Sequence, residues 1–263
     1  MLVKGPRLVN ASGTGPRAGH TRWLYGLNAV ARRLEVNPRS ILEVHLLARG
    51  SGRLAALAQL AAGAQIPLHN AEPALLRRLT GTDSHQGVAA LAKSFQYADL
   101  EQSVAKVRGP CLILDHIQDP HNLGALVRTA AAVGMAAVII PRHGAAGVTP
   151  SVEKVAAGAV NDVAICRVTN LCRSLLALRA RGYWSIALVP RGAPSVFEID
   201  LPSRPVLVLG GETGLGRLVE ETCDLRASIP VRGAVESLNA AVAGAIGMYE
   251  ILRRGEGRQL DRL

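Results

Sequence analysis

Hydrophobic and polar positions follow two different periods along the chain after residue 22. Between residues 23 and 95, segments with the apolar spacing of a helix alternate with segments typical of strands. The helix-like segments are YGLNAVARRLE, SGRLAALAQLAAGA and EPALLRRL, and the strand-like segments are ILEVHLLA, IPLHN and HQGVAALAKSF. This alternation predicts a small α/β domain over residues 23–95.

A second and stronger alternation follows a polar segment, residues 96–108, which we interpret as a linker. Its short apolar runs are CLILDHI, AAVIIP, VAICRVT, WSIALVP, PVLVLG and LRASIPV. Such runs are typical of strands buried on both faces of a parallel sheet, and helical segments lie between most of them. Residues 109–263 therefore predict a doubly wound α/β domain. Its last helix, SLNAAVAGAIGMYEILRRG, is predicted to end near Arg253, Arg254 and Gly255.

The first residues of the chain differ from the rest in composition. Residues 1–22 are rich in Gly, Pro and Arg without periodicity and predict a flexible basic tail. The first twenty residues contain no continuous apolar block, and the chain has no run of 18 uncharged apolar residues. We therefore expect a soluble, cytoplasmic protein.

The four cysteines, Cys111, Cys166, Cys172 and Cys223, show no CxxC spacing. Three of them lie in or beside apolar segments, which favours reduced core residues over a disulfide or zinc framework. We expect no metal in the protein.

The net charge of +10 is unevenly distributed. Residues 1–95 carry 12 lysines and arginines against 4 acidic residues, whereas residues 96–263 carry 18 against 16. Concentrated positive charge attracts a polyanion, so nucleic acid is the leading candidate partner. A solvated face in an arginine-rich protein is the alternative, since 26 of the 30 basic residues are arginine.

Three polar clusters follow predicted strands, at the edge where parallel sheets bind ligands. The first is DPHNLGALVRTAAAVG, in which Asn122 either caps the helix or faces a ligand. Arg128 interrupts an otherwise apolar helix, and a guanidinium there needs a carboxylate or a phosphate. We therefore interpret Asn122 and Arg128 as candidate site residues.

The other two clusters lie later in the chain. VLVLGGETGLG carries four glycines around Glu212, which favours a loop that lets a ligand approach the backbone. IPVRGAVESLNAAVA places Ser237 and Asn239 at the predicted start of the last helix, where Ser237 either caps the helix or contacts a ligand.

The chemistry available at these clusters is limited to amides, one arginine, one glutamate and glycine-lined loops. The sequence shows no catalytic cysteine, metal-ligand set, Walker loop or nucleophile elbow. Such a site can orient two substrates and manage one proton, if the reactive group arrives on a cofactor.

In order and spacing, DPHNLGALVRTAAAVG, LGGETGLG and IPVRGAVESLNAAVA resemble the three signature motifs of the SpoU or TrmH family of RNA ribose 2′-O-methyltransferases. VEKVAAGAVNDVAICRVTNL, YGLNAV and HQGVAAL extend the resemblance to the subgroup called RlmB, over about residues 23–255. That subgroup methylates a guanosine in the peptidyl-tRNA-binding loop of large-subunit ribosomal RNA.

The resemblance implies a SPOUT-type domain whose C-terminal segment makes a trefoil knot around S-adenosylmethionine. It also implies a homodimer and a ribosomal-protein-like RNA-binding fold for residues 23–95. The motif positions imply that the cofactor is bound by Leu209, Gly210, Gly211, Gly214, Ile229, Pro230 and Leu238, and that Asn122, Arg128, Glu212, Ser237 and Asn239 surround the transfer site.

Within that resemblance we expect Arg128 to stabilise the developing alkoxide rather than to act as a base, because arginine stays protonated. Glu212 is expected to orient Arg128 or Asn122. Glu236 departs from the subgroup, which has a small polar residue there. Three alternatives stay open: the same reaction on tRNA, a non-catalytic RNA-binding protein that keeps the fold, and a Rossmann-type oxidoreductase.

Overall fold

A computed structural model of the protein describes residues 21–48 and 52–260, with side chains up to residue 255. Over this part of the chain the first four strands form one sheet and the next six strands form a second sheet. Most of the predicted basic tail lies outside the described residues. Its last two residues, Thr21 and Arg22, belong to the first strand.

The first sheet contains β1 (Thr21–Tyr25), β2 (Ile41–Leu47), β3 (Leu68–Ala71) and β4 (Val88–Lys93) in the order β1-β4-β2-β3. β4 is antiparallel to both β1 and β2, and β2 and β3 are parallel. Helices α1 (Leu27–Val36) and α2 (Gly52–Gly63) bury their apolar sides on one face, and α3 (Pro73–Thr80) packs on the other. A 3-10 turn, Pro38–Ser40, joins α1 to β2.

The strand β1 was missed by the sequence pattern, which assigned Tyr25 to the start of a helix. Tyr25 instead ends the strand, Gly26 takes a φ of 93°, and α1 begins at Leu27. The partner of β1 is β4, so Thr21 pairs with Lys93. A short strand whose partner is so distant in sequence leaves almost no local pattern.

The second sheet confirms the predicted doubly wound parallel architecture. Its strands are β5 (Cys111–Asp115), β6 (Ala137–Pro141), β7 (Ala164–Val168), β8 (Trp184–Leu188), β9 (Pro205–Gly210) and β10 (Leu225–Ala227), in the order β10-β8-β9-β5-β6-β7. Every neighbouring pair is parallel. The central strands are buried along their whole length, which explains their uninterrupted apolar sequences.

The helices of this second domain pack on both faces of the sheet. They are α4 (Leu100–Lys106), α5 (Pro120–Ala132), α6 (Pro150–Val155), α7 (Leu171–Arg179), α8 (Arg217–Thr222) and α9 (Ala240–Leu260), with a 3-10 turn at Ala159–Asn161. α4 lies inside the segment that we interpreted as a linker. Its Val104 is buried in the same core as Cys166 and Leu178, so this segment is packed against the second domain.

The strand order changes direction between β5 and β9. From β5 the chain adds β6 and β7 on one side, then crosses to the other side of β5, where β9 lies beside it and β8 beyond. In open α/β sheets, ligands bind at such a switch point, outside the carboxyl ends of the strands. Asp115 and Gly210, the last residues of β5 and β9, are paired neighbours at this point.

The last helix lies against α5 and β9 and is longer than predicted. It begins at Ala240 and continues past Gly255 to Leu260. Arg253 and Arg254 both bind the carboxylate of Glu250 one turn earlier, so these arginines stabilise the helix interior rather than its end.

Small residues let α9 pack closely within the same subunit. A Cβ on Gly244 would lie 2.3 Å from Cδ2 of Leu126 on α5 and 2.6 Å from Cδ1 of Leu209 on β9. A Cβ on Gly247 would lie 2.9 Å from Cδ2 of Leu207. A larger residue at Gly244 would therefore force either the Leu126 and Leu209 side chains or the helix that begins at the candidate site to shift.

The two domains meet through charged side chains around α6. Glu153 of α6 is 1% exposed and forms an ion pair with Arg22 of β1. Arg33 of α1, also buried, places Nη1 3.7 Å from the same carboxylate. At the surface, Arg32 donates from Nε to Asp162 Oδ1 at 3.0 Å.

All four cysteines are free thiols: Cys111 and Cys166 are buried, and Cys172 and Cys223 are half-buried. Among the helices of the described residues, none combines the length and hydropathy that a membrane span requires.

Candidate functional site

A pocket of about 310 Å³ lies beside the switch point, between the carboxyl ends of β8 and β9 and the start of α9. We call it the glycine-loop pocket. Ten of the twelve site residues predicted from the sequence line it: Asn122, Leu209, Gly210, Gly211, Glu212, Gly214, Ile229, Ser237, Leu238 and Asn239. Three segments that are far apart in the chain therefore meet at one cavity.

The glycines after β9 are needed for different physical reasons. A Cβ on Gly210 would lie 2.1 Å from the carbonyl carbon of Gly214, because the loop folds back on itself. A Cβ on Gly211 would lie 2.5 Å from the backbone oxygen of His116. Gly214 has a φ of +80°, which residues with a side chain rarely adopt. At these three positions the loop therefore presents its backbone to the pocket.

A buried carboxylate holds this wall in place. Asp115 is fully buried at the end of β5, and its Oδ2 accepts a 2.8 Å hydrogen bond from the backbone N–H of Gly216. Its backbone oxygen accepts a second bond, of 2.9 Å, from Gly211 N–H. The sequence analysis did not single out Asp115, although an acid that ends an apolar strand is a signal that a buried polar contact exists.

The side chains of Asn122 and Asn239 meet at the edge of the pocket. Asn239 donates from Nδ2 to Oδ1 of Asn122 at 3.0 Å. Its own Oδ1 accepts hydrogen bonds from Ala241 N–H at 2.8 Å and from Val242 N–H at 3.3 Å. Asn239 therefore caps α9 and joins the first motif to the third.

The structure shows whether Asn122 and Ser237 cap helices, which the sequence left open. α5 is capped by Asp119, whose carboxylate accepts from His121 N–H at 2.9 Å, so Asn122 is not the cap. α9 is capped by Asn239 rather than Ser237. Asn122 and Ser237 are thus both available to contact a ligand at the pocket.

Glu212 lies at the pocket rim with an exposed side chain. Within the described part of the chain it forms no hydrogen bond or ion pair, so the expected contact with Asn122 or Arg128 is not formed in a single subunit. Glu236, the residue that departs from the subgroup, is exposed and does not line the pocket.

Two predicted site residues do not line this pocket. Pro230 is exposed, and its neighbours Ile229 and Val231 line the pocket instead. Arg128 is exposed on α5, and no described residue pairs with it. Six residues of helix rotate the side-chain direction by about 240°, so Asn122 and Arg128 project from different sides of α5.

One wall of the pocket was missed in the sequence. It is formed by Leu188 at the end of β8 and by the following Val189 and Pro190. The sequence WSIALVP identified the strand, but only the strand order shows that its carboxyl end lies beside the glycine loop. Together with Leu209 and Ile229, these residues make much of the pocket surface apolar.

Below the pocket, Asp224 fixes the beginning of β8. Its Oδ2 accepts hydrogen bonds from the backbone N–H of Ser185 at 2.8 Å and from its hydroxyl at 2.7 Å, and Arg179 lies 2.7 Å from Oδ1. Burial by itself raises the pKa of Asp224, but these donors outweigh it and hold the pKa below its ordinary value. The neighbouring Cys223 thiol has its pKa raised to about 12 by burial and therefore forms little thiolate at neutral pH.

Two family models match this chain. Residues 109–249 match the model of the SpoU rRNA Methylase family, and residues 23–98 match the model described as RNA 2'-O ribose methyltransferase substrate binding. The chain is 40% identical over 245 residues to the 23S rRNA (guanosine-2'-O-)-methyltransferase RlmB of Nitrosomonas europaea, covering 91% of this chain and 94% of the relative. It is 39% identical to the protein of the same name from Ralstonia nicotianae, covering 89% and 96%.

Among solved structures, the fold is similar to that of the SpoU methyltransferase AviRb from Streptomyces viridochromogenes in complex with the cofactor AdoMet. The TM-score is 0.76 at 24% sequence identity, covering 92% of each chain. This similarity shows the shared fold.

Proposed function

The chain belongs to the SpoU rRNA methylase family, and on that premise we propose that it methylates the ribose 2′-hydroxyl of a guanosine in 23S rRNA, with S-adenosylmethionine as the methyl donor. The observation that carries this proposal is the Asn239–Asn122 hydrogen bond at the rim of the glycine-loop pocket. This bond joins the motif that contains Asn122 to the motif that contains Asn239. The remaining motif, the glycine loop after β9, lines the same cavity.

The residues of the pocket suit an adenosine linked to a methionine. Leu209, Ile229 and Leu238 offer an apolar surface for a purine ring, and the Gly210–Gly211 backbone allows close approach to polar atoms. The volume of about 310 Å³ lies at the lower end of the range for small-molecule sites. When bound, the donor supplies an electrophilic methyl group that needs no metal or covalent intermediate.

The polar rim would then position the ribose. We assign Asn122 and Ser237 to hydrogen bonds with the sugar and its flanking phosphate, because neither side chain is used as a helix cap. Asn239 keeps Asn122 in place. Alignment of the 2′-oxygen with the methyl group is the main contribution expected from such groups.

We propose that Arg128 stabilises the negative charge that develops on the 2′-oxygen. We propose further that Arg128 does so across a homodimer, at the pocket of the partner subunit. Arg128 does not line the pocket of its own chain and is unpaired among the described residues. The neighbouring α9 exposes Val242 and Tyr249, two large side chains that a second copy would cover. In such a dimer, Arg128 would complete the pocket of the partner and meet Glu212 there.

We propose that residues 23–95 hold the RNA and that residues 109–263 form the transferase. The positive excess of the first segment and its match to a substrate-binding model support this division. The trefoil knot implied by the resemblance stays a prediction: it would enclose α9, which lies between α5 and β9. We place the enzyme in the cytoplasm, where ribosomal RNA is modified.

The test is to incubate the protein and S-adenosylmethionine separately with unmodified 23S rRNA and unmodified tRNA and to identify the methylated nucleosides by mass spectrometry. The proposal expects 2′-O-methylguanosine in 23S rRNA alone. The same product in tRNA alone would keep the reaction and reject the substrate. Failure to bind S-adenosylmethionine in calorimetry would reject the reaction itself.

A further inference from the structure

A further cavity, of about 400 Å³, opens at the carboxyl ends of β5, β6 and β7. We call it the β5–β7 cavity. It lies on the other side of β5 from the glycine-loop pocket, because β9 and β8 are the neighbours of β5 on that side. Ligand sites of parallel sheets lie at this same edge.

The two cavities share the loop after β9 as a common wall. Gly210, Gly211 and Gly214 line the glycine-loop pocket, and Gly216 lines the β5–β7 cavity. The wall is fixed from below by the Asp115 carboxylate, which accepts from Gly216 N–H. A ligand in the β5–β7 cavity would therefore lie next to a nucleotide that is presented to the glycine-loop pocket.

The lining of the β5–β7 cavity combines an apolar floor with a polar rim. Pro141, Leu171 and Val219 are buried residues of the floor. Leu218 stands at the rim and is 64% exposed. An unpaired nucleobase has apolar faces and hydrogen-bonding edges, and proteins recognise such bases in RNA loops through both.

His116 supplies the most specific polar group of this rim. It has a φ of 55°, and its ring lies against the backbone of Gly144, where a Cβ would be 2.9 Å from His116 Cδ2. Its Nδ1 is 2.5 Å from Oδ1 of the buried Asp115. A positive φ at a side-chain-bearing residue is a strained feature of the kind found at ligand sites.

The charge around the cavity suits a polyanion. His143 and Arg217 lie at the rim, and Arg217 is exposed with its nearest carboxylate oxygen, from Glu221, at 3.8 Å. The only acid of the lining, Asp115, is already bound to Gly216 and close to His116. Phosphates that flank a bound base would thus meet the Arg217 guanidinium rather than carboxylates.

The first domain is attached on the same side of β5 as the cavity. The first domain contacts α6 and the 3-10 turn Ala159–Asn161, which lie between β6 and β7 in the chain. An RNA strand held by that domain would therefore start on the β6 and β7 side of the sheet, where the cavity opens.

We propose that the β5–β7 cavity receives an unpaired nucleobase of the RNA substrate, adjacent to the nucleotide that is methylated. The inference rests on the proposed function for the identity of the substrate. It adds a subsite whose occupancy can be measured without methyl transfer.

Cys172 provides a direct probe, because it lines the cavity and is half-buried. N-ethylmaleimide alkylates accessible thiolates, so Cys111 and Cys166, which are buried, and Cys223, whose pKa is about 12, are internal references. The probe is a 23S rRNA fragment that contains the peptidyl-tRNA-binding loop. At about ten times its dissociation constant, this RNA should slow Cys172 alkylation about tenfold.

The same labelling with S-adenosylmethionine alone should leave the Cys172 rate unchanged. If the RNA binds and Cys172 is alkylated at the same rate as without RNA, the inference is wrong. This readout does not depend on turnover. A preparation that protects Cys172 but forms no 2′-O-methylguanosine would reject the proposed function and keep the subsite.

A matched pair of variants tests whether RNA occupies the β5–β7 cavity, because each variant introduces one carboxylate that would repel phosphates nearby. Leu218→Glu places a carboxylate at the rim, whereas Leu176→Glu places one at a 52% exposed position on α7 that does not line the cavity. Leu218→Glu should raise the KM for RNA about tenfold through repulsion of phosphates, with an unchanged Kd for S-adenosylmethionine. Equal KM values for the two variants would contradict the proposal.

Discussion

Asn239 donates a 3.0 Å hydrogen bond to Asn122 while its own side-chain oxygen caps the helix that begins one residue later. One side chain therefore both starts α9 and fixes the position of Asn122 at the glycine-loop pocket. The side-chain nitrogen of Asn239 positions Asn122, and its side-chain oxygen caps α9. Substitutions at Asn239 can test these two roles independently.

Replacing Asn239 with alanine should remove both the hydrogen bond to Asn122 and the cap of α9. We expect the free energy of unfolding to fall by about 1 kcal/mol through loss of the cap. The kcat should fall about 100-fold because Asn122 is no longer positioned. Asn239→Asp keeps the capping oxygen and removes the donor, so it should retain the stability and show the same loss of kcat. A fully active Asn239→Asp enzyme would show that the bond to Asn122 is not needed.

Gly210→Ala should distort the loop that forms the backbone wall of the pocket. The new Cβ would lie 2.1 Å from the Gly214 carbonyl carbon, so the loop must move, at a cost of about 1–3 kcal/mol. Because that strain opposes the bound conformation, the Kd for S-adenosylmethionine should rise about tenfold or more in calorimetry. Gly233→Ala is the control, since a Cβ there has no atom within 4 Å. Equal affinities for the two variants would argue against this loop as the donor site.

Arg128→Lys should lower kcat about 100-fold in a methylation assay, with little change in RNA affinity. Lysine keeps the charge but lacks the planar guanidinium that can bind a phosphate and the developing alkoxide together. Arg173→Lys, a change at another arginine in the second domain, should behave as the unmodified protein. Nearly full turnover of Arg128→Lys would reject the role assigned to Arg128.

Glu153→Ala should destabilise the protein far more than loss of a surface acid. Glu153 is the buried partner of Arg22 and Arg33, and its removal leaves Arg33 buried near no carboxylate, at a cost of about 3–5 kcal/mol. Glu101→Ala breaks a 2.9 Å pair with Arg181 in which Glu101 is 70% exposed, and should cost at most about 1 kcal/mol. Urea unfolding of both variants measures the difference. Similar losses of unfolding free energy in the two variants would mean that the contact between the domains does not depend on the Glu153 carboxylate.

The stability should also depend on pH through Asp224. Its pKa in the folded protein lies below the ordinary value, so its stabilisation is fully present above the unfolded pKa of about 3.9. The stabilisation is lost as the pH falls through the folded pKa. Asp224→Asn should lower the free energy of unfolding by about 1.5–3 kcal/mol at pH 7 and have much less effect at the acid end. If the difference in unfolding free energy between Asp224→Asn and the unmodified protein does not change with pH, this role of Asp224 is wrong.

Some elements could be predicted locally and others could not. The strands of the second sheet are buried on both faces, so each one is visible as an apolar run. β1 pairs with a distant strand and was read as part of a helix. The start of α9 was placed at Ser237, because a serine and an asparagine are both good caps. Only the hydrogen bonds from the helix backbone to Asn239 Oδ1 distinguish them.

The amino-acid sequence by itself determined the fold class, the family and ten of the residues that line the glycine-loop pocket, since these depend on hydrophobic period and on motifs of fixed spacing. Tertiary structure alone decided which strand ends are neighbours. That order brings the end of β8 to the pocket and places Asp115 beneath the glycine loop. These relationships arise from packing between segments far apart in the chain, and local sequence carries no record of them.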